Sequence, residues 1–363
     1  MMHYNIRPAQ MGSRLKKLPL SAMAALCVVI LWGCLFIYTA RAGGVSPLYF
    51  TMRQMAWLVC GSMAFLLAVV LPFGLWRKLA VPLYLFSILM LVLVLFFGKK
   101  IYGMTGWFEL GKGVYFQPSE FAKIALLLIL STIRGGQESL RFLKMAACAV
   151  LTCFLVLLEP DLGTTLILIT AFLTVYYVSG GRYLYLFFSL VLGALTAFFF
   201  ALSKPYAWKR LTDFFLADQG SWHIRQFEFA LGRGGFSGNT DAVWSNAYLP
   251  LPHTDSLYAT IVESSGLIGG TLVLTLFVIF GILFMRMAQK DGLERDAGVY
   301  IFSVGFVYMV QALLHIGVNV VLLPTTGVTL PFLSYGGSSL VSILFGLGIA
   351  FSAVREVDPA QIR

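Results

Sequence analysis

The chain has 363 residues, of which 59% are hydrophobic and only 12% are charged. Soluble globular proteins are roughly half apolar and about one quarter charged, so this composition excludes a water-soluble enzyme. It also excludes disordered, collagen-like and coiled-coil chains, which need more charge or simple repeats. We therefore predict an all-α polytopic membrane protein. Its net charge is +10, and the meaning of this charge depends on which side of the membrane the Lys and Arg residues lie.

Stretches without Asp, Glu, Lys or Arg predict about ten membrane spans, since a spanning helix needs roughly 20 mostly apolar residues. We expect residues 1–17 and 355–363 to form two tails around a ten-helix domain over 18–354. Pro324 and Pro331, with the Gly336-Gly337 pair, are expected to break the last apolar run into two helices. The predicted spans are 18–40, 54–76, 79–98, 124–133 extended to include Glu120 and Lys123, 145–158, 162–181, 183–203, 264–285 and the two halves of 297–354.

Lys and Arg residues gather on the cytoplasmic side of membrane proteins. Four of them precede the first span, and ten crossings return Arg355 and Arg363 to the same side, so both termini are predicted to be cytoplasmic. Residues 99–117 and 204–256 then form long outer loops, and loops of such length usually carry function. We therefore expect the active site on the extracytoplasmic face. Aromatic residues suited to the headgroup interface lie in the loop over 204–256, between spans seven and eight: Trp208, Trp222, Trp244 and Tyr248.

Charged residues interrupt the fourth predicted span and the turn after the fifth. Glu120 and Lys123 lie three positions apart, which places both on one face of a helix. They form either a structural ion pair that holds neighbouring helices together or a polar wall beside a substrate cavity. In the turn, Asp161 either caps the next helix or joins Glu159 in contacting a cationic or hydroxyl group.

His253, Thr254 and Asp255 lead directly into the eighth span. Thr254, Asp255 or Ser256 can cap that helix. Alternatively, a carboxylate at the outer membrane surface can act as a general base, with His253 beside it to orient or tune it. The sequence alone favours neither interpretation.

The last two spans carry further polar side chains. His315 and Asn319 lie four positions apart, where an interhelical hydrogen bond is the favoured interpretation. The small hydroxylated residues of 334–339 either permit close helix packing or line a pocket at a helix N-terminus, which favours phosphate. The sequence contains no Walker A motif, zinc-ligand spacing or Gly-x-Ser-x-Gly elbow, so ATP hydrolysis and serine-hydrolase chemistry gain no support.

Together these residues form five ordered motifs. The set resembles the SEDS family (shape, elongation, division and sporulation), the family of FtsW, RodA and SpoVE, from about residue 50 to residue 354. The stretch Thr-Leu-Pro-Phe-Leu-Ser-Tyr over 329–335 favours the FtsW (division) type. The motifs are Gln117–Lys123, Pro160–Thr164, Leu231–Gly235, Leu249-Pro250 with His253–Asp255, and Leu323-Pro324 with Ser334–Ser339.

The resemblance implies a ten-helix glycosyltransferase of the bacterial cytoplasmic membrane. Such an enzyme polymerises the disaccharide of lipid II into peptidoglycan strands on the outer face and releases undecaprenyl pyrophosphate. The implied partners are a class B penicillin-binding protein (a single-span transpeptidase), other divisome or elongasome proteins and the lipid bilayer, with no nucleic acid. The acid of the His-Thr-Asp motif, Asp255, is the implied catalytic residue, and Glu120, Lys123 and Asp161 match the charged positions of two other motifs.

We expect Asp255 to act as general base on the acceptor hydroxyl, while cations stabilise the departing pyrophosphate. No protein metal site or cofactor is identified in the sequence, although a divalent cation (Mg or Mn) can share the second role. Lys204 is one candidate cation of the outer loop. The predicted substrate-binding residues are Glu120, Lys123, Asp161, Arg210, Arg233, His253 and Ser338.

Two alternatives stay open. A lipid II flippase or another transporter would place polar groups near the midplane, on broken helices that are often related by an internal repeat. A non-catalytic scaffold for a penicillin-binding protein would retain the same motifs. No repeat is visible, and the polar residues gather towards the outer ends of the spans, which favours the enzyme.

Overall fold

The computed structural model of the chain describes most residues between Ile30 and Arg355. The first half of the predicted span over 18–40, most of the outer loop over 204–256 and both predicted tails, apart from Arg355, lie outside the described residues. The described residues are 30–31, 33–38, 47–101, 103–111, 113–203, 208, 212, 214–215, 222–239 and 248–355.

Ten described helices carry the fold. Seven of them are long and apolar enough to cross a membrane, which confirms a multi-pass helical membrane protein. The three shorter helices are α3, α5 and α7, with 15, 17 and 13 residues. The bounds are α1 (Pro47–Val70), α2 (Phe73–Phe97), α3 (Pro118–Thr132), α4 (Glu138–Leu158), α5 (Leu162–Val178), α6 (Tyr183–Ser203), α7 (Trp222–Gly234), α8 (Leu257–Ala288), α9 (Arg295–Asn319) and α10 (Gly337–Arg355).

A small antiparallel sheet occupies most of the outer loop predicted over 99–117. Gly103 and Gly113 lie directly before the second and third strands with φ of 87° and 76°, a conformation that hairpin turns obtain from glycine. The all-α prediction omitted this sheet, whose signal was the spacing of two glycines between short apolar runs. Its strands, in spatial order, are β1 (Lys99–Ile101), β2 (Met104–Gly111) and β3 (Val114–Phe116).

The helix bundle has two ends of different character. We call the end that carries the strands and the start of α8 the sheet end. The opposite end, where α1 meets α2 and α3 meets α4, is the arginine end. Its ion pairs are Arg77 with Glu294, Arg134 with Asp296, and Arg141 with Glu138.

The core of the bundle surrounds α3. Of its 15 residues 13 are buried, and it packs against α2, α5, α9 and α10. A helix buried on every face can be shorter than a lipid-facing span, and 15 residues extend only about 22 Å. The helix begins at Pro118, so the predicted extension of this span to include Glu120 and Lys123 is confirmed.

Residues 320–336, between α9 and α10, are not helical and fold back into the bundle. The predicted break at Pro324 and Pro331 is therefore confirmed. His315 Nδ1 lies 2.7 Å from the carbonyl oxygen of Val328, so this α9 side chain contacts the backbone of the connection. Non-helical backbone at membrane depth is tolerated where protein surrounds it and supplies hydrogen bonds.

Helix α8 is interrupted at Gly266, which has φ 70° and ψ −171°, a conformation open essentially only to glycine. The segment that follows α7 fills the break. The carbonyls of Gly235 and Phe236 accept hydrogen bonds from the amides of Leu267 and Ile268, at 2.9 and 3.3 Å. The backbone groups freed by the break therefore bind the chain itself.

Replacing Gly266 by alanine is expected to destabilise the protein strongly. A Cβ at this position would lie 2.3 Å from the carbonyl oxygen of Phe236, so we expect Gly266→Ala to lower the free energy of unfolding by at least about 2 kcal/mol. Thermal unfolding of the purified protein measures this effect. The control is Gly232→Ala, because a Cβ on this α7 residue meets no atom of the described residues within 4 Å; equal melting of both variants would contradict the prediction.

Candidate functional site

The α9–α10 connection holds the segment that leads into α8. The carbonyl of His253 accepts a hydrogen bond from the amide of Tyr335 at 2.8 Å, and the carbonyl of Thr254 accepts one from Ser334 Oγ at 3.0 Å. The buried ring of His253 stacks on Phe50, with centroids 4.2 Å apart. Burial lowers the pKa of His253 to about 4, so its imidazole is neutral at pH 7.

Asp255 lies half-buried at the sheet end, two positions before the first residue of α8. Its carbonyl accepts a hydrogen bond from Asn319 Nδ2 at 2.9 Å. The N-cap residue Ser256 makes no side-chain cap bond, and its hydroxyl donates to the carbonyl of Pro250 instead. Asn319 Oδ1 accepts from the amide of Ala259 at 3.1 Å, so α9 supplies a cap to α8. The interhelical hydrogen bond predicted for Asn319 is confirmed.

Glu120 and Lys123 form a buried ion pair at the start of α3, with Lys123 Nζ 2.9 Å from Glu120 Oε2. Lys123 Nζ also donates to Gln311 Oε1 at 3.2 Å, and Ser342 Oγ donates to Glu120 Oε2 at 3.4 Å. The predicted ion pair is therefore confirmed, and it joins α3 to α9 and α10. Lys123 is 3% exposed and Glu120 is 5% exposed, so their substrate-binding role stays a prediction.

Asp161 caps α5, as one of the two interpretations predicted. Its Oδ1 accepts from the amide of Thr164 at 2.9 Å and its Oδ2 from the hydroxyl of the same residue at 2.7 Å. Gln117 Nε2 donates to Oδ2 at 3.4 Å, which links two of the sequence motifs. Burial raises the pKa of the Asp161 carboxyl, and the bonds from Thr164 oppose that shift. Substrate binding by Asp161 stays a prediction.

Ser338 connects the start of α10 to the end of the sheet. Its hydroxyl accepts a hydrogen bond from the amide of Gln117 at 3.0 Å and donates to the carbonyl of Tyr115 at 3.2 Å. At the neighbouring Gly337 an added Cβ would lie 2.2 Å from the ring of Trp57. These contacts support close packing by the small residues of 334–339, and substrate binding by Ser338 stays a prediction.

Arg233 lies at the end of α7 against α8. Its Nε lies 3.4 Å from Glu263 Oε1, and its guanidinium lies over the ring of Tyr248, 5.5 Å from the centroid. The hydroxyl of Tyr248 donates to the same carboxylate. The Arg233 side chain remains 39% exposed, so it is held in place yet accessible. Arg210, the other predicted cation of the outer loop, lies outside the described residues.

The α9–α10 connection also links these groups to one another. Gln311 Nε2 donates to the carbonyl of Thr329 at 3.0 Å, while Gln311 Oε1 binds Lys123. A continuous set of contacts thus runs from the ion pair, through the connection, to the segment that contains Asp255. Gln311 is not among the predicted site residues, although an amide side chain within a long apolar run is a signal that could have indicated it.

Glu159 is also missing from the predicted site residues. Its carboxyl lies in the turn between α4 and α5, is completely buried, and has no hydrogen-bond partner on either oxygen within the part of the chain that the structure describes. A Cβ at Gly106 of β2 would lie 2.8 Å from Glu159 Oε2, so the sheet covers the group. Burial, together with the charge of Asp161, raises the pKa of Glu159 to about 9, and the carboxyl is protonated at pH 7.

This buried acid is expected to make stability fall as pH rises. Between its ordinary pKa of 4.5 and its folded pKa of about 9, the folded chain holds a proton that the unfolded chain has lost. The free energy of unfolding then decreases by up to about 1.4 kcal/mol per pH unit. Melting temperatures measured from pH 5 to pH 9 should show this slope, and Glu159→Gln should flatten it. Glu109→Gln, which alters an exposed carboxylate, should retain the slope; a slope that survives in Glu159→Gln would contradict the prediction.

Comparison with known proteins places the chain among bacterial cell-cycle proteins. It matches the sequence profile of a family described as cell cycle protein, which groups FtsW, RodA and SpoVE, over residues 14–358. It is 30% identical to the probable peptidoglycan glycosyltransferase FtsW of Trichlorobacter lovleyi, over 93% of both chains. A protein of the same name from Legionella pneumophila is 34% identical over 82% of this chain and 79% of that one.

Solved structures show the same architecture. One of them is described as "Structural coordination of polymerization and crosslinking by a peptidoglycan synthase complex". A chain of that structure aligns with this one at a TM-score of 0.79 and 28% sequence identity, and the alignment covers 94% of this chain and 99% of that chain. The rod shape determining protein RodA of Thermus thermophilus gives a TM-score of 0.72 at 26% identity, over 94% and 97% of the two chains. The predicted helical multi-pass membrane fold is therefore confirmed, while the count of ten spans and the long outer loop between spans seven and eight stay predictions.

Proposed function

Because this chain belongs to the FtsW/RodA/SpoVE family, we propose that it is a peptidoglycan glycosyltransferase of the bacterial cytoplasmic membrane. It polymerises the disaccharide units of lipid II into glycan strands and releases undecaprenyl pyrophosphate. The two curated relatives described above are both named FtsW, which favours a role in cell division over one in elongation.

The fixed position of Asp255 is the observation that carries this proposal. The carbonyls of His253, Thr254 and Asp255 each accept a hydrogen bond from α9 or from the connection that follows it. Asp255 itself is half-buried, so a carboxylate stands in a defined place at one end of the bundle. In the proposed reaction it takes the proton of the acceptor sugar hydroxyl as that oxygen attacks the anomeric carbon of the donor.

Cations stabilise the pyrophosphate that leaves in this reaction. Arg233 is suited to this role, because it pairs with Glu263, about 9 Å along α8 from its first residue, while its side chain stays accessible. Lys123 and Arg210 are the other candidates. Among the described residues no three His, Cys, Asp or Glu side chains converge. A divalent cation (Mg or Mn) that arrives with the substrate could share the stabilisation of the leaving phosphates.

In the proposed orientation the arginine end is cytoplasmic, with both termini, and the sheet end with Asp255 is extracytoplasmic. Basic residues concentrate on the cytoplasmic side of membrane proteins. A class B penicillin-binding protein, with other division proteins, would act beside Asp255, and the similarity to a chain of a peptidoglycan synthase complex supports such a partner. The basic residues in or beside the helix ends at the arginine end are Arg77, Lys78, Arg134, Arg141, Lys144, Arg182, Arg286, Lys290, Arg295 and Arg355.

The broken helix α8 favours one alternative function, a lipid II transporter, because transporters bind their substrates at such breaks. In this chain, however, the amides freed after Gly266 bind the carbonyls that follow α7. The amides of Leu267 and Ile268 are therefore already bound within the chain, which argues against a substrate site at this break and leaves the glycosyltransferase as the better supported function.

Polymerisation of labelled lipid II by the purified protein, with and without a cognate class B penicillin-binding protein, tests the proposal. We expect glycan strands under at least one of the two conditions. A folded protein with a competent partner that yields no strands would contradict the proposal, and a lipid II flipping assay would then test the transporter.

A further inference from the structure

The side-chain amide of Asn319 forms hydrogen bonds through both its nitrogen and its oxygen with backbone groups near Asp255. Its side chain is completely buried. Nδ2 donates to the carbonyls of Asp255 and His315, both at 2.9 Å, and Oδ1 accepts from the amide of Ala259 at 3.1 Å. An asparagine amide has two N–H donors, so both donors are in use.

One of the backbone groups that Asn319 binds lies just before α8 and another lies in its first turn. Asp255 and Ala259 are four positions apart, so their carbonyl and amide would bond directly if the helix began earlier. The first such bond present runs from the amide of Thr260 to the carbonyl of Ser256, at 2.9 Å. Asn319 thus inserts its amide into the place of one helical hydrogen bond, a known way for a side chain to interrupt a helix.

We infer that Asn319 is a positioning residue that keeps Asp255 outside α8. Without it, the amide of Ala259 can bond to the carbonyl of Asp255, and the helix gains a residue at its start. One helical step turns a side chain by about 100° and shifts it by about 1.5 Å, which moves the carboxylate away from the acceptor hydroxyl. The catalytic consequence rests on the proposed function.

Two substitutions separate positioning from simple helix capping. Asn319→Asp keeps an acceptor for the amide of Ala259, and an acid at a helix start is a good cap, yet a carboxylate cannot donate to the carbonyl of Asp255. Asn319→Ala removes both interactions. We expect kcat per folded protein to fall about 30- to 100-fold in both variants, because small misplacements of a reacting group cost about that much, with KM for lipid II within about threefold of wild type.

A capping role alone would leave Asn319→Asp as active as wild type, and that result would overturn the inference. Thr152→Val is the control for lost stability. It removes a buried hydroxyl that bonds to the carbonyl of Cys148 and the hydroxyl of Tyr84, neither of which contacts the segment of Asp255 in the bonds described above, and should leave kcat unchanged.

A second measurement does not depend on activity. In Asp255→Cys, the rate at which a maleimide labels position 255 is followed by mass spectrometry, with and without Asn319→Asp. We expect the second substitution to change this rate at least about threefold, because the segment adopts a different backbone position. An unchanged rate would overturn the inference, even if the wild-type protein polymerised no lipid II and the proposed function had failed on its own test.

Discussion

Asp255→Asn is expected to reduce lipid II polymerisation by about 10²- to 10⁴-fold, the usual contribution of a general base. An amide of the same size cannot take the proton of the acceptor hydroxyl at neutral pH. The main-chain bond from Asn319 to residue 255 does not involve the altered side chain, so the protein should fold normally. Gel analysis of strands made from labelled lipid II measures the loss.

Asp291→Asn is the matched control, because it makes the same chemical change on an exposed residue at the arginine end. It should polymerise lipid II at the wild-type rate. An Asp255→Asn protein that melts like wild type and still makes strands at a comparable rate would contradict the assignment of the base, while leaving the glycosyltransferase itself intact.

The features that the sequence predicts correctly depend on neighbours in the chain. Most apolar stretches overlap the described helices, because each helix needs only its own residues to satisfy its backbone. The boundary predicted at Arg77 and Lys78 is wrong, since both residues lie inside α2. Pro324 and Pro331 break the last apolar run for equally local reasons. The Glu120–Lys123 pair also follows from spacing alone, since residues three positions apart meet on one helix face.

The remaining features depend on segments that are distant in the chain. Asn319 contacts Asp255 across 64 positions, and Gln311 contacts Lys123 across 188. No local pattern shows that the α9–α10 connection folds back to join these groups. The break at Gly266 was missed for the same reason, because the carbonyls that stabilise it follow a different helix.

Removing one member of the Glu120–Lys123 pair should cost much more stability than removing both. Lys123→Met leaves a buried carboxylate without its cation, and breaking a buried pair in this way costs about 3–5 kcal/mol. In the double variant Glu120→Gln with Lys123→Met no uncompensated charge is left, so we expect most of the lost stability to return. Chemical unfolding of the three proteins measures both effects.

Polymerase activity should not return with the stability. In the double variant Gln311 still lacks the donor at Lys123 Nζ, and Gln311 also binds Thr329 in the connection that holds the segment of Asp255. Lys99→Met is the control, since its pair with Glu109 is exposed and such pairs contribute about 0–1 kcal/mol. A double variant with wild-type activity would mean that the buried pair serves folding alone. Unchanged stability in Lys123→Met would refute the energetic argument.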